Sequence, residues 1–360
     1  MNEIKQKLKN KIIELCSVMS VSGFEKRATD TLYATIGKDF DEIKTDPVGN
    51  HIFIKRCNKK DAPTCLVDAH FDEVGMMVTD ILDGGFLKFA QIGGLSLSVL
   101  QGADVIIYGK ENIRGVITST PPHLRDGSDK LAPIEELLID TGYKKETLEN
   151  IAPVGTPIGF APVYAEMLSD TIVGKSFDNK ACAAVCAEAI ASVDRAELPC
   201  HVALMLSSFE ETSRLGGVAS GVYSLAPDYA VVTDVNLARV PDTAKYETVP
   251  LFEGISIALS TATDRALALE AEKLCKERDI PHTMTVEPSS TGTNSPTVNL
   301  TGSGIPVVDI GLPLKNMHTY NEVISLDDAY SLYSFIREFV TSKEIAKKFT
   351  KGKEELFYEL

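Results

Sequence analysis

No apolar run in this chain approaches the roughly 18 residues that suggest a membrane span. Its first residues, Met1 to Lys11, are charged and helix-forming where a secretory leader would carry an apolar stretch. The expected location is therefore the cytoplasm, with no membrane partner. No long basic stripe interrupts a formal net charge of −15, so the surface repels phosphate backbones and nucleic acid is a poor partner. Cysteine is present but unorganised: seven residues, at 16, 57, 65, 182, 186, 200 and 275, lie mostly in apolar segments without a pair of CxxC units. They read as buried reduced thiols. Cys182 and Cys186 fall on one face of a helix, where packing is the expected role. Repeats at periods of about 20–50 residues, low-complexity tracts and long linkers are also lacking, so the parts of the molecule should pack together.

The chain has 360 residues, 44% hydrophobic and 24% charged, which is the profile of a folded protein with a full core and a second, smaller unit. EIKQKLKNKIIELCS, at 3–17, places Ile, Leu and Cys at helical spacing, and SVSGFE supplies a turn into another helix. The turn residues of DPVGN predict a β-hairpin, and TCLVDAH reads as a buried strand. From Gly75 the texture changes to short strand-like pieces broken by glycines, with one short helical patch near Pro133. That predicts a β-rich, barrel-like insertion over 75–163 within an α/β domain formed by 1–74 and 164–360. Helix and strand alternate after the insertion, ending in a long C-terminal helix, which implies a mixed sheet flanked by helices.

Metal-capable residues recur just after the apolar strands: His70 after TCLVDA, Glu210 and Glu211 after HVALMLSSF, Asp234 after YAVVT, and His318 soon after VVDIGL. Parallel strands deliver their carboxyl ends to one edge of an open sheet, so residues distant in sequence meet there. Carboxylates and histidines gathered at one rim repel and desolvate one another unless cations neutralise them, and mixed His and carboxylate shells suit zinc, cobalt or manganese. Two ions match the charge. Of the adjacent pair Glu210 and Glu211, one would ligate and the other act as a base toward water.

In this order the motifs resemble the TET aminopeptidase family, which includes glutamyl and deblocking aminopeptidases and members long labelled cellulase M. The matches are SGFE (22–25), DPVGN (46–50), DAHFDEVG (68–75), IGG (92–94), PPHL (121–124), IDTG (139–142), SFDNK (176–180), FEE (209–211) and PLKNMHTYNEV (313–323). The resemblance implies a zinc-peptidase type fold with one ion on His70 and Asp234, another on Glu211 and His318, and Asp178 bridging both. It implies Glu210 as general base and Asp72 as a second catalytic acid that orients His70 without binding metal. It also implies that the insertion is a dimerisation domain and that dimers build a hollow dodecamer acting on peptides. The chain departs from the family pattern at Lys180, where relatives carry Arg, at Gly292–Ser295 in place of a GTDA-like turn, and in lacking an LGKGP-like turn near YETVPLFEG.

Competing readings use the same residues. A carboxypeptidase or deacylase of similar architecture would need nearly the same ligands, and a weakened binding homologue would fit Lys180 and Asn294. A glycosidase would need two opposed carboxylic groups and no metal. His51, His201 and His282 receive structural roles, as does Asp309. His123 is read as structural or as a contact to a neighbouring subunit, and the SKEIAKKFTKGKEE run as a solvated helix face.

Overall fold

Helical spacing of Leu8, Ile12 and Leu15 among lysines makes α1 (Asn2–Cys16) amphipathic, and these three side chains are fully buried. The molecule is known from a computed structural model that describes residues 2–121, 124, 132–212 and 216–350. After α2 (Thr29–Thr35), strands β1 (Glu42–Thr45) and β2 (His51–Lys55) pair antiparallel. In the turn between them the Asp46 carboxylate accepts the amides of Val48, Gly49 and Asn50. β3 (Thr64–His70) follows, buried on both faces as its unbroken apolar run requires.

Six strands then close an antiparallel barrel: β4 (Gly75–Ile81), β5 (Phe86–Ile92), β6 (Asp104–Tyr108), β7 (Asn112–Thr118), β8 (Leu138–Asp140) and β9 (Pro157–Phe160). Alternate side chains, among them Met76, Leu87, Val105, Ile107 and Ile158, fill it as an apolar cluster of its own. The helical content of this stretch exceeds expectation. Besides short 3-10 turns at Leu97–Val99 and Ile134–Glu136 it holds the helix α3 (Lys145–Ile151). Only Leu148 of α3 is buried, so the sequence carries no apolar period to reveal it. His123 lies outside the described residues.

The remaining strands build one eleven-stranded mixed sheet with β1, β2 and β3. They are β10 (Ala165–Met167), β11 (Thr171–Gly174), β12 (His201–Ser207), β13 (Tyr229–Leu237), β14 (Ile255–Ser260), β15 (His282–Glu287), β16 (Val307–Lys315) and β17 (Glu322–Ser325). β12, β3, β13 and β16 are consecutive and parallel, so their carboxyl ends share one edge. The helices among them are α4 (Phe177–Ala191), α5 (Gly216–Leu225), α6 (Arg265–Glu277) and α7 (Ser295–Leu300), followed by α8 (Leu326–Thr341) and α9 (Lys343–Phe349).

Alternation along the strands divides the core. Val202, Leu204 and Leu206 of β12 join the cluster under α1, α4, α6 and α8, whereas Ala203 and Met205 join the one under α5 and α7. The expected single C-terminal helix is two. Ser342 breaks it with ψ of 108°, and its hydroxyl accepts the Ile345 amide as the cap of α9. All seven cysteines are buried and unbridged.

Candidate metal centre

His70 is the last residue of β3, at the shared edge. β12 ends beside it at Ser207, and the chain then turns through Phe209, whose φ of +63° is costly for an aromatic residue. Three polar side chains hold this turn. Asn50 accepts the Ser208 amide at 3.0 Å and donates to the Gly217 carbonyl, Glu25 accepts the Phe209 amide at 3.2 Å, and Asp72 accepts those of Glu210 and Glu211 at 3.1 and 3.0 Å. A Cβ on Gly217 would stand 2.0 Å from the Ser208 carbonyl oxygen, so only glycine lets the loop's return pass there. Glu210 and Glu211 are thus presented by a fixed backbone.

Asp178, the second residue of α4, is non-helical (φ −74°, ψ 108°), and Ser176 before the helix is in the left-handed region. Asp234 lies within β13, which runs on to Leu237, where the sequence suggested a strand ending at Thr233. His318 follows β16 in a turn, also left-handed, at φ +62°. These three, with His70, Glu210 and Glu211, line one cleft of about 330 Å³ together with Gly94, Val235, Gly292 and Met317.

One ligand atom from each of His70, Asp178 and Asp234 falls within 4.8 Å of the others, and the same holds for Asp178, Glu211 and His318. Asp178 belongs to both groups: its Oδ1 is 3.1 Å from His70 Nε2 and its Oδ2 is 3.4 Å from His318 Nε2. Each histidine turns its other nitrogen to a carbonyl oxygen, His70 Nδ1 to Asp72 at 3.0 Å and His318 Nδ1 to Gly94 at 2.7 Å. With Nδ1 engaged in this way, Nε2 is the nitrogen that faces inward, and a cation that displaced its proton would meet its lone pair, as metal-ligating histidines present it. Glu211 Oε1 is buried with no hydrogen-bond partner among the described residues.

Titration behaviour reflects the same crowding. Burial pushes the carboxyl of Glu210 up to about 8 and, with the Asp178 charge, that of Glu211 up to about 7. Burial would raise Asp178 too, but hydrogen bonds from His318 and His70 hold it below the usual carboxylate range. Hydrogen bonds to Asp178 and Glu211 push His318 up to about 11. Left to itself the cluster takes up protons, and a divalent cation in each group would replace them. The donor set, two imidazole lone pairs and three carboxylates around a shared Asp178, fits a pair of such ions.

A sequence model described as M42 glutamyl aminopeptidase matches residues 49–335. The chain belongs to the M42 glutamyl aminopeptidase family. Members are metallopeptidases, so this M42 protein is a hydrolase acting on peptides. It is 30% identical over 342 residues, 91% of this chain and 94% of the relative, to the putative aminopeptidase FrvX of Escherichia coli K12. Among solved structures it resembles the aminopeptidase APDkam598 of Desulfurococcus kamchatkensis, with a TM-score of 0.88, 25% identity and coverage of 98% and 99% of the two chains. It also resembles the Pyrococcus horikoshii TET1 peptidase, described as assembling into a tetrahedron or a large octahedral shell, with a TM-score of 0.81, 25% identity and coverage of 92% and 99%.

Two departures of this M42 chain, at Lys180 and Asn294, have local explanations. Lys180 is fully buried, donates to the Val18 carbonyl at 2.7 Å, and stands 3.1 Å from Glu73, so it packs beneath the cleft without lining it. Asn294 donates to the buried Asp68 carboxylate at 3.0 Å and to the Ser207 hydroxyl, a contact an aspartate could not make. The Asp72 carboxylate is only 3.5 Å from His70 Nδ1; its shorter bonds go to the Glu210 and Glu211 amides. His51, His201 and His282 hydrogen-bond Thr29, Cys57 and Ile280, and Asp309 accepts from Thr293 and Ser295, all structural contacts. Sequence reasoning gave no role to Glu25 and Asn50. Their place in the matched motifs SGFE and DPVGN was the signal in the sequence; that their side chains are buried against bare amides is seen only in the structure.

Gly94 supplies a first prediction. A Cβ there would lie 3.2 Å from His318 Nδ1, so Gly94→Ala should push the imidazole aside by a few tenths of an ångström. We expect zinc affinity on the His318 side to fall by about 10–100-fold, the usual effect of disturbing a ligand's supporting contact. Competition titration of metal-depleted protein against a chelator measures this, and affinities equal to wild type would refute it.

Proposed function

We propose that this protein removes N-terminal residues from peptides using two divalent cations, zinc or cobalt by preference and manganese as a third choice. His70, Asp178 and Asp234 would hold one, and Asp178, Glu211 and His318 the other, with Glu210 as general base. The observation that carries this reading is that two three-residue donor groups share Asp178 in a cleft that Glu210 also lines. Bound there, the ions supply an anchor for the substrate's α-amine and positive charge that polarises the scissile carbonyl and acidifies water. Glu210 Oε2 is 3.9 Å from His70 Nε2 and makes no shorter polar contact among the described residues, so its carboxylate is available to take a proton from attacking water and pass it to the departing amine. Asp72 acts through the main chain, fixing the amides of Glu210 and Glu211, and through the His70 ring.

Aminoacyl anilides assayed after chelation and re-addition of zinc, cobalt or manganese test the reading. Hydrolysis restored by metal and blocked by acylation of the substrate amine is the expected result. Activity confined to N-acyl amino acids would make the protein a deacylase. We further assign residues 75–163, inserted between the halves 1–74 and 164–360 of the catalytic unit, to self-association between copies of the chain. A dimer-based dodecamer like those of TET peptidases is the assembly this supports, readable by sedimentation.

A further inference from the structure

We propose that Glu322 is a positioning residue for the metal pair, holding the main chains of Asp178 and His318 at one fixed separation. The inference rests on the dinuclear reading above and extends it to a residue that is not a ligand. Glu322 opens β17 and is almost wholly buried. Its Oε2 accepts the Asp178 amide at 3.1 Å and its Oε1 the His318 amide at 3.1 Å. One carboxylate thus joins two candidate ligands that are 140 residues apart in the chain.

Three features make this more than packing. His318 sits in the left-handed region at φ +62°, a conformation that persists for a non-glycine residue only where its surroundings enforce it. The Glu322 backbone is fixed by strand pairing opposite Gly174, two residues before Ser176 and the turn into Asp178, so its carboxylate is a rigid reference for both amides. No Lys, Arg or His forms an ion pair with it among the described residues, so both of its oxygens are left to the two amides. A carboxylate with two acceptor oxygens satisfies two converging N–H donors, whereas an amide side chain would present a donor to one of them.

The test is Glu322→Gln in the full chain, with zinc titrated into metal-depleted protein and bound ions counted at each free zinc concentration. Wild type should bind two ions. The variant should bind the ion of the His318 group, whose Asp178 and His318 ligands both hang on Glu322, about 10–100-fold more weakly, and the ion of the His70 group, which shares only Asp178, more weakly by a smaller factor. Two ions bound at wild-type affinities, or both weakened equally, would overturn the proposal. A wild-type stoichiometry below two would instead refute the dinuclear reading, and the unmutated arm alone reveals that. Should the variant not fold, amide hydrogen exchange of metal-free wild type decides. The His318 and Asp178 amides should exchange more slowly than those of Met317 and Thr319, and equal rates would reject the assignment.

Discussion

Glu210→Gln is expected to leave both ions bound and to lower kcat by about 10²–10⁴-fold, the range by which general acid–base groups contribute. Gln keeps the size and shape of the side chain, and the residue's amide stays on Asp72, so the turn carrying Glu211 is not disturbed. What is lost is the capacity to accept and return a proton. Because that interaction exists only along the reaction path, kcat and kcat/KM should fall together while KM changes little. Steady-state kinetics beside a metal count on the same sample measure this. A variant that turns over normally would remove Glu210 from the chemistry, and one that loses an ion would make it a ligand.

The parallel centre of the sheet was legible because strands covered on both faces read as unbroken apolar runs. TCLVDAH and HVALMLS announced β3 and β12, and with them the positions of His70 and of the Glu210–Glu211 turn. Other features leave weaker traces. Asp178 and His318 reach the cleft through left-handed turns at Ser176 and at His318 itself, conformations that no periodicity encodes. Asp178 was picked out by resemblance alone, and His318 by its place soon after the apolar run VVDIGL, with its turn unforeseen. Asp234 was found by strand reasoning although its strand continues past it. α3 was missed because a helix with one buried residue has no apolar face to detect.

Lys180 teaches a related lesson. As a substitution for Arg in a matched motif it fitted a weakened binding homologue. The structure gives it a different setting. Its ammonium is buried with Lys175 around Glu73, and burial lowers its pKa to about 8 while the paired lysines hold Glu73 down at about 2. Glu73 in turn accepts the Ser20 amide and the Ser176 hydroxyl. The change from Arg therefore bears on how the segment before Asp178 is supported. The identity of a residue was readable from the chain, but the direction of its side chain was not.

Asp178→Asn carries the other large expected effect, because one side chain serves two donor groups. Its Oδ1 faces His70 and its Oδ2 faces His318, and both imidazoles would present Nε2 lone pairs to a cation, their Nδ1 atoms being engaged elsewhere. An asparagine keeps a single acceptor oxygen, and its amide group would donate into one of those imidazole lone pairs. One ion would then lose both its shared carboxylate oxygen and its histidine. Its affinity should fall by more than about 100-fold, beyond the ~10–100-fold that supporting contacts alone contribute. The other ion should bind more weakly, because a neutral oxygen replaces a charged one, and peptide hydrolysis should vanish at ordinary metal concentrations. If Asp178 instead served one ion only, the variant would lose that ion and hold the second as tightly as wild type. Isothermal titration of the metal-depleted variant, with a thermal melt to show that it is folded, separates the two cases.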